Sequence, residues 1–307
     1  MVEAVYSAAL PVGEKLVVQK NRLLGLRRAG PRVSVVTGMH GDGLAGQFVA
    51  YELIRRLKES SEKLRGMVDV YPALNPLGLS MRTHGVPQFD IDLDRTFPGN
   101  ADGNLTDALA AAVLNDVCGA AACVIIQSSD SFVQEVSQVR IDEDDSSSLM
   151  RLAKLLNARL VWARESAPTL RLTLAHALNE RGTPAFVVRL GSNVHQAEND
   201  AAWIVEGILR LLKELRAWSG STIDLPAPMV SSGDGVVTLL AEEPGLFLPR
   251  VECGAQVRHG QVLGLVVDSL EGSVKSELKA PRSGLLFSLR AYPVVYPGSL
   301  LARILEA

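Results

Sequence analysis

Four stretches of the chain set polar and ionisable residues against apolar runs. "TGMHGDG" at 37–43 places His40 and Asp42 in a glycine-rich turn after "RVSVV". "NPLGLSMRTHGVPQFDIDLDRTFPG" at 75–99 carries Arg82, His84, Asp90, Asp92, Asp94 and Arg95. "IIQSSDSFVQEVSQVRI" at 125–141 holds Gln127, Asp130 and Arg140, and "FVVRLGS" embeds Arg189 in an apolar strand. A histidine at a strand end invites a metal, but a catalytic zinc takes about three protein ligands and an open position. His84 and His195 show no partners at ligand spacing and are expected in surface or turn roles. A site built from His40, Asp42 and a distant histidine is the metal alternative. The arginines point instead to bidentate pairing with a carboxylate.

Asp90, Asp92 and Asp94 alternate, so an extended segment would turn them to one face. There they would neutralise arginines in an internal network. Burying Arg189 without an anion would be costly, so a carboxylate must lie near it. Either an Asp of the "DIDLD" run is that partner, or Arg189 binds a ligand. Gln127 to Asp130 read as a strand-end turn. A serine nucleophile there would need a general base, and no histidine is near in sequence.

The elements that position these residues alternate in type. Strands are predicted at 32–37, 67–74, 122–127 and 184–191. Helices are predicted at 43–58, 105–119, 146–160, 168–182 and 200–218, with serines capping the third and proline opening the fourth. The alternation predicts a layered α/β fold with a mixed sheet over residues 1–220, its ligand site at the carboxyl ends of strands. After the Ser-, Gly- and Pro-rich linker "SGSTIDLPAP", residues 228–307 contain only short β-type segments and are expected to form a small all-β barrel-like domain. "GAQVRHGQVLGLVVD" and "KAPRSGLLFSL" look like the half-motifs of a biotinyl/lipoyl-type barrel. "DSLEGS" replaces the lysine-bearing hairpin tip, so no swinging-arm carrier is expected.

At 307 residues and 47% hydrophobic, the chain is long enough for one large domain, or a large and a small one. A net charge of −3 favours neither nucleic acid nor an anionic membrane. No apolar run approaches the roughly 20 residues of a transmembrane helix, and the N-terminus is a poor signal peptide. Cys118, Cys123 and Cys253 lack metal-ligand spacing and suit buried thiols in a reducing compartment. A cytoplasmic location is expected.

Together the polar stretches resemble the succinylglutamate desuccinylase/aspartoacylase family of zinc-dependent, carboxypeptidase-like hydrolases, from about residue 30 to the end. The resemblance rests on His-Gly-Asp at 40–42, "NP" at 75–76, "DLDRTFPG" at 92–99, "QVRI" at 138–141 and "LTLAHALNERGTPAFVVRLG". It implies that His40 stands at the first zinc-ligand position, a remnant that hydrogen-bonds its turn. The glutamate ligand three residues on is Gly43, and the histidine ligand of the middle strand is Gln127. The glutamate that would activate water is Arg189, and the Asn of the Asn-Arg pair is Asp94. Arg82, Arg95 and Arg140 survive as the substrate-anchoring side, with Asp94 and Arg189 in the same cleft. A guanidinium cannot act as a base at neutral pH and repels a divalent cation.

The expected function is therefore that of a catalytically degenerate homologue of this family. It would be a non-catalytic binding or regulatory subunit, pairing with an active homologous hydrolase chain. Its ligand would be an acidic small molecule or a peptide C-terminus, and no cofactor is expected. The alternative is an active metal-dependent hydrolase of C–N amide bonds with a rearranged metal site, for which zinc would be the cofactor.

Overall fold

The computed structural model describes every residue except 27–29, 166, 192–193, 224–225, 232–234 and 307; the side chains of residues 146 and 194–198, His195 among them, also lie outside the description. The chain runs β1 (Val2–Ala9), β2 (Lys15–Leu24), β3 (Arg32–Val36), α1 (Ala45–Glu59), β4 (Met67–Tyr71), α2 (Pro76–Met81), α3 (Leu105–Val117) and β5 (Ala122–Ser128). There follow β6 (Val133–Glu135), β7 (Gln138–Asp142), α4 (Ser146–Ala153), β8 (Leu160–Arg164), α5 (Leu174–Glu180), β9 (Ala185–Leu190), α6 (Val194–Glu214) and β10 (Met229–Ser231).

Nine of these strands form one mixed sheet in the order β1-β2-β4-β3-β5-β9-β7-β8-β10. Its centre, β4-β3-β5-β9, is parallel. A parallel sheet covered on both faces needs strands apolar throughout rather than alternating. "RVSVV" and "ACVIIQ" meet that need, with every residue from Val33 to Val36 and from Ala122 to Gln127 buried. One face packs against α1, α4 and α6 through Val49, Leu53, Leu57, Leu152, Ile204 and Ile208. In α1 the apolar residues recur every four positions, which sets them along one stripe. The other face packs against α3 and α5 with Tyr71, Leu93, Phe97, Leu109 and Leu178.

The remaining strands are β11 (Val236–Leu240), β12 (Gly245–Pro249), β13 (Gln256–Val257), β14 (Val262–Asp268), β15 (Ser273–Lys279), β16 (Gly284–Arg290), β17 (Val294–Val295) and β18 (Leu300–Glu306). They form two antiparallel sheets, β11-β18-β16-β13 and β15-β14-β12-β17, around Phe247, Leu263, Leu286, Leu301 and Ile304. Strand β6 leaves the α/β part and pairs with β16, so Glu135 lies opposite Ser288. No helix among the described residues is long and apolar enough to cross a membrane.

Several elements depart from the predicted ones. The N-terminal hairpin β1-β2, the short helix α2 and the strands β6 and β7 were not anticipated. The helix predicted at 146–160 ends early: Asn157 takes a left-handed conformation, φ 60°, and Leu160 to Arg164 form β8. Asparagine tolerates that conformation at little cost. The helix predicted at 168–182 breaks at Thr173, whose side chain caps α5 by accepting from the His176 N–H at 3.3 Å. A hydroxyl that satisfies an orphan helix donor starts a helix rather than continuing one.

Phe97 is fully buried beneath the segment that carries Asp92 to Arg95. Phe97→Ala is expected to cost about 3–5 kcal/mol of stability. The cost should appear as a lower urea midpoint with an unchanged slope.

Candidate functional site

The polar stretches meet beyond the carboxyl ends of β3, β4, β5 and β9. The 38–43 turn is clasped to α2: the Gly41 N–H donates to the Thr83 carbonyl at 3.0 Å. A Cβ on Gly41 would lie 2.0 Å from the Gly78 carbonyl carbon, so only glycine allows this approach. Asn75 caps α2, accepting from the Gly78 N–H at 2.8 Å.

The clasp stacks His84 on His40, with ring centroids 4.0 Å apart and planes 9° from parallel. His40 Nε2 lies 2.8 Å from Asp92 Oδ1. His84 Nδ1 lies 3.1 Å from Asp42 Oδ2, and its Nε2 lies 3.8 Å from Asp92 Oδ2. His84 therefore has partners, contrary to the expectation from spacing. Forty-two residues separate it from Asp42, and only the clasp brings them together. Asp92, foremost, and Asp42 favour the imidazolium of His84, pushing its pKa up to about 9 against the opposing effect of burial. Burial alone would raise the Asp92 carboxyl, but hydrogen bonding with the histidines holds it well below the usual carboxylate range.

The period-two reading of the "DIDLD" run also needs correction. Asp90 is exposed with φ 50°. Residues 93–95 form a 3-10 turn capped by Asp92, which accepts from the Asp94 N–H at 2.9 Å. Asp92 faces the histidines. Asp94 is buried against Gln127, whose Nε2 donates to Asp94 Oδ2 at 2.9 Å. Asp94 also accepts from the Leu174 N–H at 3.2 Å, and burial raises its carboxyl above the ordinary range. The Gln127 amide is thus held by Asp94. Gly43 offers no donor, and a Cβ there would meet Ser128 at 2.9 Å. Zinc does not fit the three positions that the resemblance assigns to it, His40, Gly43 and Gln127.

The partner of Arg189 is Glu135, not an aspartate of that run; Arg189 Nε lies 3.6 Å from Glu135 Oε2. The Glu135 side chain is 2% exposed. It accepts from Arg140 Nη2 at 2.8 Å and from Ser129 Oγ at 2.8 Å, and Arg303 of β18 comes within 3.7 Å. Burial opposes its charge, yet Arg140, Arg189 and Arg303 hold its carboxyl below the ordinary range. Arg140, wholly enclosed, is pushed well below the usual guanidinium range by burial and by its arginine neighbours, against the pull of Glu135.

Arg95, Arg140, Arg164 and Arg189 line a small cavity of about 70 Å³ with Asp94 and Asp142. Arg164 Nε and Arg189 Nε are buried without a hydrogen-bond partner. Four of the five predicted substrate-anchoring residues therefore gather here. Arg82 does not line the cavity; it ends α2 in a left-handed conformation, exposed. Asp130 accepts from the Phe132 N–H in the strand-end turn, as expected. Sequence reasoning missed Glu135, Asp142, Arg164 and Arg303. A charged residue inside each short apolar run, "FVQEV", "VRID", "LVWAR" and "LLARIL", was the available signal.

Removing one member of a buried ion network leaves uncompensated charge. Glu135→Gln is expected to cost about 3–5 kcal/mol at neutral pH. Because the folded-state pKa of Glu135 is lowered, its contribution is present above the ordinary glutamate value of about 4.3 and is lost as pH falls below it. Urea melts of wild type and Glu135→Gln should therefore differ at pH 7 and converge in acid.

A family model for the succinylglutamate desuccinylase/aspartoacylase catalytic domain matches residues 29–215. The chain is 25% identical to the N-alpha-acetyl-L-2,4-diaminobutyric acid deacetylase of Halomonas elongata, over 91% of this chain and 83% of the relative. Its fold is similar to that of the product-bound ectoine utilization protein EutE of Ruegeria pomeroyi, with a TM-score of 0.84, 20% identity, and 100% of this chain and 95% of the other covered. A succinylglutamate desuccinylase/aspartoacylase from Rhodobacter sphaeroides superposes with a TM-score of 0.81 and 22% identity, over 99% and 94% of the two chains. These likenesses cover the mixed sheet and the C-terminal β sheets alike. The matched model spans more than half of the chain, and the chain belongs to the succinylglutamate desuccinylase/aspartoacylase family.

Proposed function

We propose that this chain is a family member without the family's hydrolytic chemistry, a binding or regulatory subunit whose arginine-lined cavity takes a carboxylate-bearing small molecule or a peptide C-terminus. The observation that supports the reading is the side chain at the general-base position. Arg189 is paired with a buried glutamate and cannot take a proton from water. Gly43 and Gln127 add to it, since neither supplies the ligand that zinc would need there.

The charge of the cavity favours an anion. Four guanidinium groups line it with two carboxylates, Asp94 and Asp142, both of which burial shifts toward their neutral forms. Two buried guanidinium N–H donors lack partners, and an unmade bond in a buried site costs about 1–3 kcal/mol. A bound carboxylate supplies acceptors of the right charge and planar geometry. The cavity's size suits a carboxylate head rather than a whole ligand. A non-catalytic subunit of this kind would accompany an active homologous chain, and co-purification of such a chain from the native host tests that part.

Thermal-shift and calorimetric titrations with N-acetyl amino acids, dicarboxylates and short peptides test the binding. Free-acid peptides should stabilise the protein and their C-terminal amides should not. The stabilisation should fall at least tenfold in affinity in Arg95→Ala and Arg189→Ala. No acetate should be released from Nα-acetyl-L-2,4-diaminobutyrate with zinc present. Turnover of that substrate by wild type would overturn the non-catalytic reading, and a flat response across the acid panel would overturn carboxylate binding.

A further inference from the structure

We infer that the cavity between α6 and the C-terminal sheets is a second ligand site, built for a small zwitterion with an apolar body, such as an aromatic or long aliphatic α-amino acid. Its volume is about 400 Å³, within the roughly 300–1,000 Å³ of small-molecule sites. It shares no lining residue with the arginine cavity. Trp203, Pro228, Met229 and Leu285 supply an apolar wall, and Arg159 and Asp200 add one charge of each sign. These residues come from α6, the approach to β8, the segment entering β10, and β16.

Neither charge is satisfied by the protein. Asp200 makes no hydrogen bond or ion pair with a described residue, and burial raises its carboxyl above the ordinary range against the attraction of Arg159. A wholly apolar occupant would leave that desolvation uncompensated, whereas a donor would relieve it. Arg159 is anchored elsewhere: its Nη2 donates to the Gly254 carbonyl at 3.4 Å. A Cβ on Gly254 would stand 2.7 Å from Arg159 Nη1, and Gly254 has φ 92°, so both the approach and the conformation call for glycine. The guanidinium forms no ion pair with a described carboxylate, which leaves N–H donors for a bidentate one. Trp203 lies three residues after Asp200, so the helix turns both to one face. It is 52% exposed, and its ring stacks on no other ring and carries no cation among the described residues. An ammonium paired with Asp200 gains a cation–π contact there. The carboxylate of the same molecule goes to Arg159, and its side chain covers the apolar wall. A dicarboxylate would set a second anion against Asp200, and a diamine a cation against Arg159.

The inference does not rest on the non-catalytic reading or on the arginine cavity, since it is read by binding at other residues. The full chain is titrated calorimetrically with L-phenylalanine and L-leucine, with the melting temperature as a second readout. Saturable one-to-one binding is expected at millimolar concentration or below. N-acetyl-L-phenylalanine lacks the ammonium, L-phenylalaninamide lacks the carboxylate, and glycine lacks the apolar body. Each should bind this site at least about tenfold more weakly than L-phenylalanine. Asp200→Asn, Arg159→Gln and Trp203→Ala should each weaken L-phenylalanine by about tenfold or more, and Arg95→Ala should leave its affinity unchanged. Arg159 and Trp203 are exposed, so replacing them leaves the core intact, and far-UV circular dichroism checks each variant. Failure of both amino acids to bind folded wild type at millimolar concentration would overturn the site. L-Phenylalanine binding that survives Asp200→Asn and is lost in Arg95→Ala would overturn it too, placing the amino acid in the arginine cavity. L-Phenylalaninamide binding as tightly as L-phenylalanine would overturn the zwitterion.

Discussion

The carboxylate of Glu135 is the interaction on which the arginine cavity depends. Three guanidinium groups, from β7, β9 and β18, approach one buried carboxylate. Arg140, the buried one, could not stay charged without it, because an isolated ion in a low-dielectric interior neutralises or drags water in, whereas Arg189 and Arg303 keep some contact with water. Strand β6 delivers Glu135 by leaving the α/β sheet to pair with β16, and β18 delivers Arg303. The C-terminal β sheets are therefore part of the site's electrostatics as well as a neighbouring layer. One carboxylate against three cations also leaves positive charge over, and Asp94 and Asp142 offset only part of it at the cavity wall.

A second constraint is steric and acts on the histidines. Gly41 and Gly78 touch backbone to backbone, and Asn75 caps the helix that carries Gly78. These contacts bring Thr83 and His84 against the 38–43 turn, and the rest of the geometry follows. Asp42 meets His84, the two rings stack, and Asp92 closes the group from the far side of its loop. A side chain at Gly41 would push the turn off α2, and one at Gly78 would meet the Asn75 cap, so both glycines keep together residues far apart in sequence.

How much of this was legible in the sequence depended on the kind of signal. The central strands could be read because a buried parallel strand is apolar at every position, as "RVSVV" and "ACVIIQ" are. The sheet edges could not: β1, β2 and β8 alternate or are interrupted, and a single left-handed asparagine turned the end of a predicted helix into a strand. Gly43, Gln127 and Arg189 were singled out through family resemblance, since identity at a motif position needs no geometry. Partnership was the hidden part. Asp94 was placed in the cleft but assigned to the wrong neighbours, because a 3-10 turn at 93–95 breaks the two-residue period that would have kept it beside Asp92. Glu135 was overlooked because its local mark, a charge inside a short apolar run, does not say that its partners lie on three other strands.

The two groups divide charge across a small region. Around Gln127 and Arg189 guanidinium groups outnumber carboxylates, so a divalent ion there would be repelled by several fixed cations at once. Around His40 and His84 the carboxylates of Asp42 and Asp92 face the His84 imidazolium and Arg95. Coulomb energy between unit charges at 4 Å is about 4 kcal/mol at an effective dielectric of 20, so a few such contacts decide which ion each group accepts. The charge of the arginine group favours an anion, whereas the histidine group balances its carboxylates with cations of its own. Asp94 and Arg95 connect the two, Asp94 feeling the charge of His40 while it holds Gln127, and Arg95 lying against Asp92 while it lines the cavity. A charge gained or lost by either group is therefore felt by the other.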